Sequence, residues 1–172
     1  LMYGTIMPQK GAIYVDGINL NDLTLEQKHQ WLCLISQEPM LYPNLSIYEN
    51  LKLADPDLTH DDITYVFKVS ACSLWIEKVG IHFLTKHLSS GQKQQLSIAR
   101  ALLNIKPIWL MDEALSAIDK KSHHMIMTNL MRHPNIKKIF IVSHQKRDQT
   151  LYDTIIQIKD VEATDYSLAS EN

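Results

Sequence analysis

The sequence predicts an α/β fold in which a parallel sheet is accompanied by a small antiparallel β subdomain and an α-helical subdomain. Three observations predict it. Short apolar runs alternate with a helical pattern between residues 108 and 159, which is typical of parallel strands joined by helices. Residues 11–20 alternate apolar and polar side chains up to an Asp16-Gly17 turn, which indicates an antiparallel hairpin. Residues 46–79 carry apolar side chains at helical spacing, which indicates a helical subdomain.

Length and composition limit the classes of protein to which the chain can belong. With 172 residues, 45% of them hydrophobic, the chain can bury the core of one domain. The 17 basic and 19 acidic residues give a formal net charge of -2, and the basic residues are scattered. This balance argues against nucleic-acid binding through bulk charge. No apolar run reaches the roughly 18 residues of a membrane span, and the amino terminus lacks a signal-peptide pattern.

The two cysteines, Cys33 and Cys72, lie inside apolar segments. Two buried free thiols in a reducing compartment therefore explain them better than a disulfide does. This usage predicts a cytosolic environment for the domain.

The first half of the chain contains clear start signals for helices. Thr24 is a predicted N-cap, and residues 31–36 follow as a predicted buried strand. Residues 37–46 contain two prolines and predict a loop. Thr59 is a second predicted N-cap, before a helix with an apolar face of Val66, Val69 and Leu74.

The second half begins with the stretch LSSGQKQQLSIARALL at residues 88–103, which predicts a helix. Its apolar face is predicted to contain Leu96, Ala99 and Leu103, while Lys93, Gln94 and Ser97 are predicted to face away. Three buried strands, at 108–111, 138–143 and 154–159, and one helix, at about 119–132, complete the predicted alternation.

Polar side chains follow the predicted buried strands, and ligands of open α/β sheets gather at this edge. Gln37 follows the first strand, Asp112 and Glu113 follow the second, and His144 follows the third. Asp112 is suited to hold Mg²⁺ and Glu113 to accept a proton from an attacking water, as phosphoryl transfer requires. Taken singly, the acidic pair fits a helix or loop cap equally well, and His144 fits a structural histidine. Their shared placement favours a phosphate site.

The start of the helix at 88–103 is the second candidate site. Ser89 or Ser90 can cap the helix, and Gly91 lets the backbone approach an anion closely. The first N–H groups would then offer a site for an anion. An ordinary capped helix explains the same residues.

Five short segments together resemble the motifs of an ATP-binding cassette (ABC) transporter ATPase. The segments resemble, in the order of that family, the Q-loop, the signature motif, Walker B, the D-loop and the H-loop: SQEP with Gln37, LSSGQ at 88–92, IWLMDE at 108–113, SAID at 116–119 and VSH at 142–144. The resemblance runs from about Leu1 to Lys159, and residues 49–79 resemble the helical subdomain of exporter-type cassettes. It implies a P-loop NTPase-like ABC ATPase core in a partial domain at 1–160, with the helical subdomain at about 46–104 and a tail at 161–172.

The resemblance implies a role for each candidate residue. Asp112, with Gln37, would bind Mg²⁺, and Glu113 would act on the hydrolytic water. His144 would contact the γ-phosphate, and Gln37 would report the state of that site to a membrane domain. The signature residues Ser89, Ser90, Gly91 and Gln92 would face an ATP bound by the opposite cassette, and Asp119 would lie across the same dimer interface.

The sequence departs from the family pattern in three places. The phosphate loop G-x-x-x-x-G-K-[ST] does not occur in the 172 residues, Ser90 stands where the family has a glycine, and Leu115 replaces a usual Thr or Pro. We expect that the sequence is truncated amino-terminally, downstream of the phosphate loop, and a degenerate cassette is the competing explanation. Either way, we expect the isolated 172 residues to hydrolyse ATP no faster than a Glu113→Gln control.

The expected function is ATP binding and hydrolysis that drives substrate export, with ATP and Mg²⁺ as cofactors. The expected partners are a second ABC ATPase domain, arranged head to tail, and a transmembrane domain, with no nucleic acid. The domain would lie at the cytoplasmic face of a membrane. Two alternatives remain open: a non-catalytic cassette that pairs with an active partner, and a non-transport ABC ATPase.

Overall fold

The computed structural model describes residue 8, residues 10–144 and residues 151–156. Short 3₁₀ turns lie at Leu20–Asp22 and Thr85–His87. The helices and strands are, in chain order, β1 (Tyr14–Val15), β2 (Ile18–Asn19), α1 (Leu25–Trp31), β3 (Leu32–Ile35), α2 (Ile47–Lys52), α3 (His60–Val69), α4 (Ser73–Val79), α5 (Ser90–Leu102), β4 (Ile108–Asp112), α6 (Lys120–Met131) and β5 (Lys138–Val142).

The predicted hairpin is present as β1 and β2, which pair antiparallel. Its turn residues Asp16 and Gly17 have φ angles of 49° and 80°. Two consecutive positive φ values match the twist of the flanking strands, which explains the Asp-Gly dipeptide. The predicted antiparallel subdomain is therefore confirmed as a two-stranded sheet.

The second sheet is parallel, with the strand order β3-β4-β5. Its register aligns Leu34, Leu110 and Phe140 across the three strands, and Asp112 pairs with Val142. Because all three strands run in the same direction, their carboxyl ends meet at one edge of the sheet.

The two faces of this sheet differ in burial. Trp109 and Met111 point to the face covered by helices and belong to the core cluster that also contains residues of α5 and α6. On the other face Leu34, Phe140 and Val142 are exposed. The prediction of a strand buried on both faces is therefore confirmed for β4. The prediction of a buried strand is confirmed in β3 for Leu32 and Ile35 but not for Leu34, and it is wrong for β5, in which no residue is fully buried.

The predicted strand at 154–159 is not observed where the structure can test it. Residues 154–156 are in no strand and are exposed, and residues 157–159 lie outside the described residues. An apolar run forms a strand only when a sheet edge pairs with it, and 154–156 pair with none of the described strands. The predicted tail at 161–172 also lies outside the described residues.

Helix starts follow the predicted caps. Thr24 and Thr59 are N-caps, and each forms a reciprocal capping box with the third residue of its helix. Helix α3 packs against α5, and Val66 and Val69 are buried as predicted. Leu74 is 71% exposed, contrary to the prediction.

Leu74 is exposed because the chain breaks its helix before this residue, whereas the predicted apolar face requires one continuous helix. Helix α3 ends at Val69 and α4 begins at Ser73. Between them Ala71 has a φ of 60°, a left-handed conformation that ends helical periodicity. The 3.6-residue register of α3 therefore does not extend to Leu74.

Both cysteines are free, as predicted. Cys72 is fully buried, and burial raises the pKa of its thiol to about 12. Cys33 is half-buried, and burial raises its pKa to about 11. Both thiols are therefore protonated at neutral pH and are poor nucleophiles.

Within the described residues, no helix combines the length and the apolar character needed to cross a bilayer.

Candidate functional site

The predicted polar residues lie at one edge of the parallel sheet. Asp112 is the last residue of β4, Glu113 follows it, Gln37 lies two residues after β3, and His144 lies two residues after β5. Asp112, Gln37 and His144 are exposed at this edge, whereas Glu113 is only 9% exposed. The strand order of the sheet therefore brings the three motif segments together.

Glu113 connects β4 to the loop after β5. Its backbone N–H donates to the Val142 carbonyl at 3.0 Å, and its carboxylate oxygen Oε1 accepts a hydrogen bond from the His144 backbone N–H. Glu113 also has a φ of 50°, a left-handed conformation that costs a non-glycine residue about 1 kcal/mol or more. Both ends of the residue are thus held, which fixes the direction of the carboxylate.

Gln94 is a site residue that the sequence analysis misplaced. It was predicted to face away from the core, but it is 3% exposed. Its Nε2 lies 3.3 Å from the Glu113 carbonyl oxygen, 3.2 Å from Ser116 Oγ and 3.5 Å from the Gln37 carbonyl oxygen. Its Oε1 accepts from the Ala117 N–H at 2.9 Å. One buried carboxamide therefore contacts the segments that resemble the Q-loop, Walker B and the D-loop.

A signal for this burial was present in the sequence. Ile98 lies four residues after Gln94, on the same side of the helix, and Ile98 is fully buried. The apolar face of α5 is therefore wider than the predicted set of Leu96, Ala99 and Leu103, and it includes the side on which Gln94 lies.

The start of α5 is a capping box. Ser89 Oγ accepts from the Gln92 N–H at 3.3 Å, and Gln92 Oε1 accepts from the Ser89 N–H at 2.9 Å. Ser90 is the first helical residue, and both serines are exposed. This geometry fits the interpretation of the segment as an ordinary capped helix. A hydroxyl that accepts one hydrogen bond can still donate its own proton, so Ser89 can cap the helix and also donate a hydrogen bond to a ligand.

Gly91 lies against the chain's own segment at Ala117. A Cβ built on Gly91 would lie 2.6 Å from the Ala117 carbonyl oxygen and 3.4 Å from its carbonyl carbon. Gly91 therefore packs closely against the segment that resembles the D-loop, and the predicted approach of its backbone to an anion stays a prediction.

We expect Gly91→Ala to lower ATP hydrolysis by the full-length gene product by roughly tenfold or more, because the obstacle is a backbone atom that must move. Overpacking costs about 1–3 kcal/mol, and the better helix propensity of alanine recovers at most about 1 kcal/mol. The net loss of stability is therefore expected to be no more than about 2 kcal/mol, while the distance between α5 and Ala117 increases. Steady-state phosphate release measures the effect. Ala101→Gly, which lowers the helix propensity at another position of α5, is the control. Unchanged turnover in Gly91→Ala would show that this contact is dispensable.

Asp119 has a structural role at the start of α6. Its Oδ1 accepts from the Ser122 N–H at 3.0 Å, which makes it the N-cap. The hydrogen bond from the Ser122 backbone, followed by that from the Ser122 hydroxyl, lowers the pKa of Asp119 below its usual value. The capping role is observed, and the role across a dimer interface stays a prediction.

The loop after Gln37 is joined to the segment that precedes α5. The backbone of 43–48 pairs with that of 81–86 through four hydrogen bonds of 2.9–3.1 Å: Ile47 to Phe83, Tyr48 to Ile81, Thr85 to Leu45 and Lys86 to Pro43. This pairing makes the loop and the start of the signature-like helix parts of one unit.

Two buried side chains reinforce this unit. Asn50 is fully buried; its Oδ1 accepts from the Tyr42 N–H at 2.8 Å, and its Nδ2 donates to carbonyl oxygens of Tyr42 at 3.1 Å and Ser46 at 3.0 Å. Thr85 Oγ1 donates to the Tyr42 carbonyl at 2.7 Å. On the outer surface of this unit Met40 and Tyr42 are 78% and 58% exposed.

The donor chemistry at the sheet edge fits Mg²⁺. Among the described residues no three histidine, cysteine or acidic side chains form a cluster that could hold a metal by itself. Mg²⁺ in nucleotide sites is held by one or two side-chain oxygens together with phosphate oxygens and water. The Asp112 carboxylate and the Gln37 amide oxygen are donors of this kind, so the residues present suit an ion that arrives with a nucleotide.

Comparison with known proteins identifies the family. The sequence profile of the family described as ABC transporter matches residues 1–116. The chain belongs to the ABC transporter family.

Relatives in this family include several exporters. The chain is 34% identical over 174 residues to "Multidrug resistance protein 1" of Plasmodium falciparum, covering 98% of the chain and 12% of that protein. It is 34% identical over 151 residues to "Beta-(1-->2)glucan export ATP-binding/permease protein NdvA" of Nitrobacter winogradskyi, covering 84% of the chain and 25% of that protein. Among solved structures, one titled "Structure of a bacterial Atm1-family ABC exporter with ATP bound" matches 82% of the chain and 26% of its own length, with a TM-score of 0.74 and 25% identity.

These matches confirm the resemblance to ABC exporters and the α/β ABC ATPase fold. The chain spans a quarter or less of the length of these relatives. The roles of the individual site residues, including Gln37, Ser89 and His144, stay predictions.

Proposed function

We propose that the chain is the ATP-binding and ATP-hydrolysing domain of an ABC exporter. The observation that carries this proposal is the link between three motif segments: Glu113 accepts from the His144 N–H, and Gln94 contacts both Glu113 and Gln37. A general base, a polar residue for the terminal phosphate and a magnesium ligand need to meet at one site for phosphoryl transfer to water. A relative named for glucan export and a solved structure titled as an ABC exporter support the direction of transport.

In the proposed mechanism Glu113 accepts the proton of the attacking water. The His144 N–H occupies Oε1, so Oε2 is the oxygen that we assign to the water. Asp112 and Gln37 would hold Mg²⁺, which supplies charge stabilisation for the phosphate oxygens when it is bound. His144 would donate a hydrogen bond to the terminal phosphate and stabilise the developing charge.

The second half of the proposed site is the start of α5. This helix has 13 residues, and its amino-terminal N–H groups carry the positive end of the helix dipole. Ser89, Ser90, Gly91 and Gln92 would present these groups to an ATP bound by a second cassette arranged head to tail. Asp119 would lie near the same interface.

The proposed membrane contact is the surface around Met40 and Tyr42. Exposed apolar and aromatic side chains next to each other are typical of a protein interface. The backbone pairing of 43–48 with 81–86 supports transmission from this surface to the start of α5. The domain would therefore lie at the cytoplasmic face of a membrane, against a transmembrane domain.

The alternatives are a non-catalytic cassette and a non-transport ABC ATPase. Ser90 favours the first, while Glu113 and His144 argue against it. The exposed Met40 and Tyr42 argue against the second.

One experiment separates these candidates. The full-length gene product is purified, and ATP binding and hydrolysis are measured with Mg²⁺ and with EDTA. Hydrolysis that needs Mg²⁺, in a protein that stays with the membrane fraction after an alkaline wash, supports the proposal. ATP binding without hydrolysis favours the non-catalytic cassette, and hydrolysis by a protein that leaves the membrane fraction favours the non-transport ATPase.

A further inference from the structure

The buried carboxamide of Gln94 links α5 to three segments at the sheet edge: Gln37, Glu113 and Ser116–Ala117. We propose that Gln94 is a positioning residue that sets the spacing of Gln37, Glu113 and the segment Ser116–Ala117, and that it transmits a movement of the loop at Gln37 to the catalytic glutamate. This inference rests on the function proposed above. It concerns how the site is assembled, whereas the function concerns what the site does.

The first argument is the demand of a buried amide for partners. Gln94 is 3% exposed, so water cannot satisfy its donors and acceptor. Removal of one partner would leave a buried polar group unpaired, which is unfavourable. Gln94 and the segments that contact it therefore hold one another in place.

Second, the Gln94 amide nitrogen has fewer hydrogens to donate than acceptor oxygens within reach. The Oε1 atom has a single well-formed bond, from the Ala117 N–H at 2.9 Å. The Nε2 atom has two hydrogens but three acceptor oxygens within reach, at 3.2 Å (Ser116), 3.3 Å (Glu113) and 3.5 Å (Gln37). Two hydrogens cannot bond well to three acceptors at once. An approach of the Gln37 carbonyl would therefore draw a hydrogen away from Glu113 or Ser116.

The third argument is a contrast with the next residue. Gln95 is also buried, but its Oε1 accepts from Trp75 Nε1 at 2.9 Å and its Nε2 donates to the Ala71 carbonyl at 3.2 Å. Gln95 thus joins α5 to α4 and to the turn that precedes α4, whereas Gln94 joins α5 to the sheet edge. Two adjacent glutamines connect one helix to two different parts of the domain, which makes Gln95 a matched control.

The test compares three variants of the full-length gene product: Gln94→Met, Gln94→Glu and Gln95→Met. Steady-state ATP hydrolysis gives kcat and KM, and hydrogen exchange with mass spectrometry reports the peptides that cover 71–75 and 114–119. The carboxylate of Gln94→Glu keeps an acceptor for the Ala117 N–H but has no hydrogen to donate. This variant therefore separates the two halves of the amide.

We expect both Gln94 variants to lower kcat by about tenfold or more with KM within about threefold, as loss of positioning does. Exchange at 114–119 should rise in both Gln94 variants, because neither methionine nor a buried carboxylate can donate a hydrogen bond to the Glu113 carbonyl or Ser116. In Gln95→Met, exchange should rise at 71–75 while kcat stays within about threefold of the unmodified protein.

Two outcomes would overturn the inference. One is a kcat of Gln94→Glu near that of the unmodified protein, and the other is an equal loss of kcat in Gln94→Met and Gln95→Met, which would indicate general destabilisation. A Glu113→Gln variant is measured beside them. If it hydrolyses ATP normally the proposed function fails, whereas a normal Gln94→Glu beside an inactive Glu113→Gln rejects only the role of Gln94.

Discussion

Glu113→Gln is expected to lower kcat for ATP hydrolysis by the full-length gene product by roughly 10²–10⁴-fold, because a general base contributes about that much. The carboxamide oxygen can still accept the hydrogen bond from the His144 N–H, so the loop after β5 should keep its place. Only the capacity to take a proton from water is lost. Phosphate release measures kcat, and the Kd for ATP should stay within about threefold because binding does not use the proton acceptor.

Glu49→Gln is the matched control for this substitution. Glu49 Oε2 accepts hydrogen bonds from the N–H and the hydroxyl of Ser46 at 2.7 Å each, so this glutamate also serves as a local acceptor, but at the start of α2. Hydrolysis by Glu49→Gln should stay close to that of the unmodified protein. A Glu113→Gln protein with turnover near normal would remove the general base from the mechanism.

Asn50→Ala is expected to lower the free energy of unfolding around α2 by about 2 kcal/mol, because it removes the acceptor of the Tyr42 N–H and leaves a cavity at a fully buried position. The carboxamide of Asn50 bonds to both the N–H and the carbonyl of Tyr42 and to the carbonyl of Ser46. Alanine can replace none of these bonds. Hydrogen exchange of the peptides that cover 42–53 in the full-length gene product measures the loss locally.

Asn104→Ala controls for the loss of an asparagine as such. Asn104 is exposed, and its Oδ1 accepts only from Lys106 Nζ among the hydrogen bonds described. Its replacement should change stability by no more than about 0.5 kcal/mol, as is usual at the surface. Equal exchange in the two variants would mean that the amide of Asn50 does not hold the loop.

The sequence was sufficient to predict those features of the structure that local chemistry decides. The Asp16-Gly17 turn follows from the φ angles that a two-residue hairpin requires. The caps at Thr24 and Thr59 follow from the unpaired N–H groups at a helix start. The burial of Trp109 and Met111 follows from the continuous apolar run of β4, the central strand.

The sequence was insufficient where distant segments meet. Nothing near Gly91 in the chain predicts the Ala117 carbonyl against which it packs. Ile98, one turn after Gln94, indicates the burial of Gln94, but the partners of its carboxamide belong to distant segments and could not be predicted. The exposure of Phe140 depends on which face of the sheet the helices cover, which alternation along a strand does not determine.

The sequence predicts which polar residues follow the strands at the candidate site, but it does not predict the hydrogen bonds that join these residues. Gln37, Asp112, Glu113 and His144 meet at one edge because the sheet is parallel, which the α/β alternation implied. The bond from the His144 backbone to Glu113 and the left-handed φ of Glu113 could not be predicted, since both depend on the register between β4 and β5.

The central claim is that these segments converge on the terminal phosphate of ATP, and a structure of the full-length Glu113→Gln protein with ATP and Mg²⁺ tests it most directly. In that structure Asp112, Gln37 and His144 of one cassette should surround the terminal phosphate and its metal. Ser89 of the opposite cassette should also lie at hydrogen-bond distance, about 3 Å, from an oxygen of the same phosphate. A nucleotide bound away from the sheet edge, or one that has no signature residue of a second cassette beside its terminal phosphate, would contradict the account.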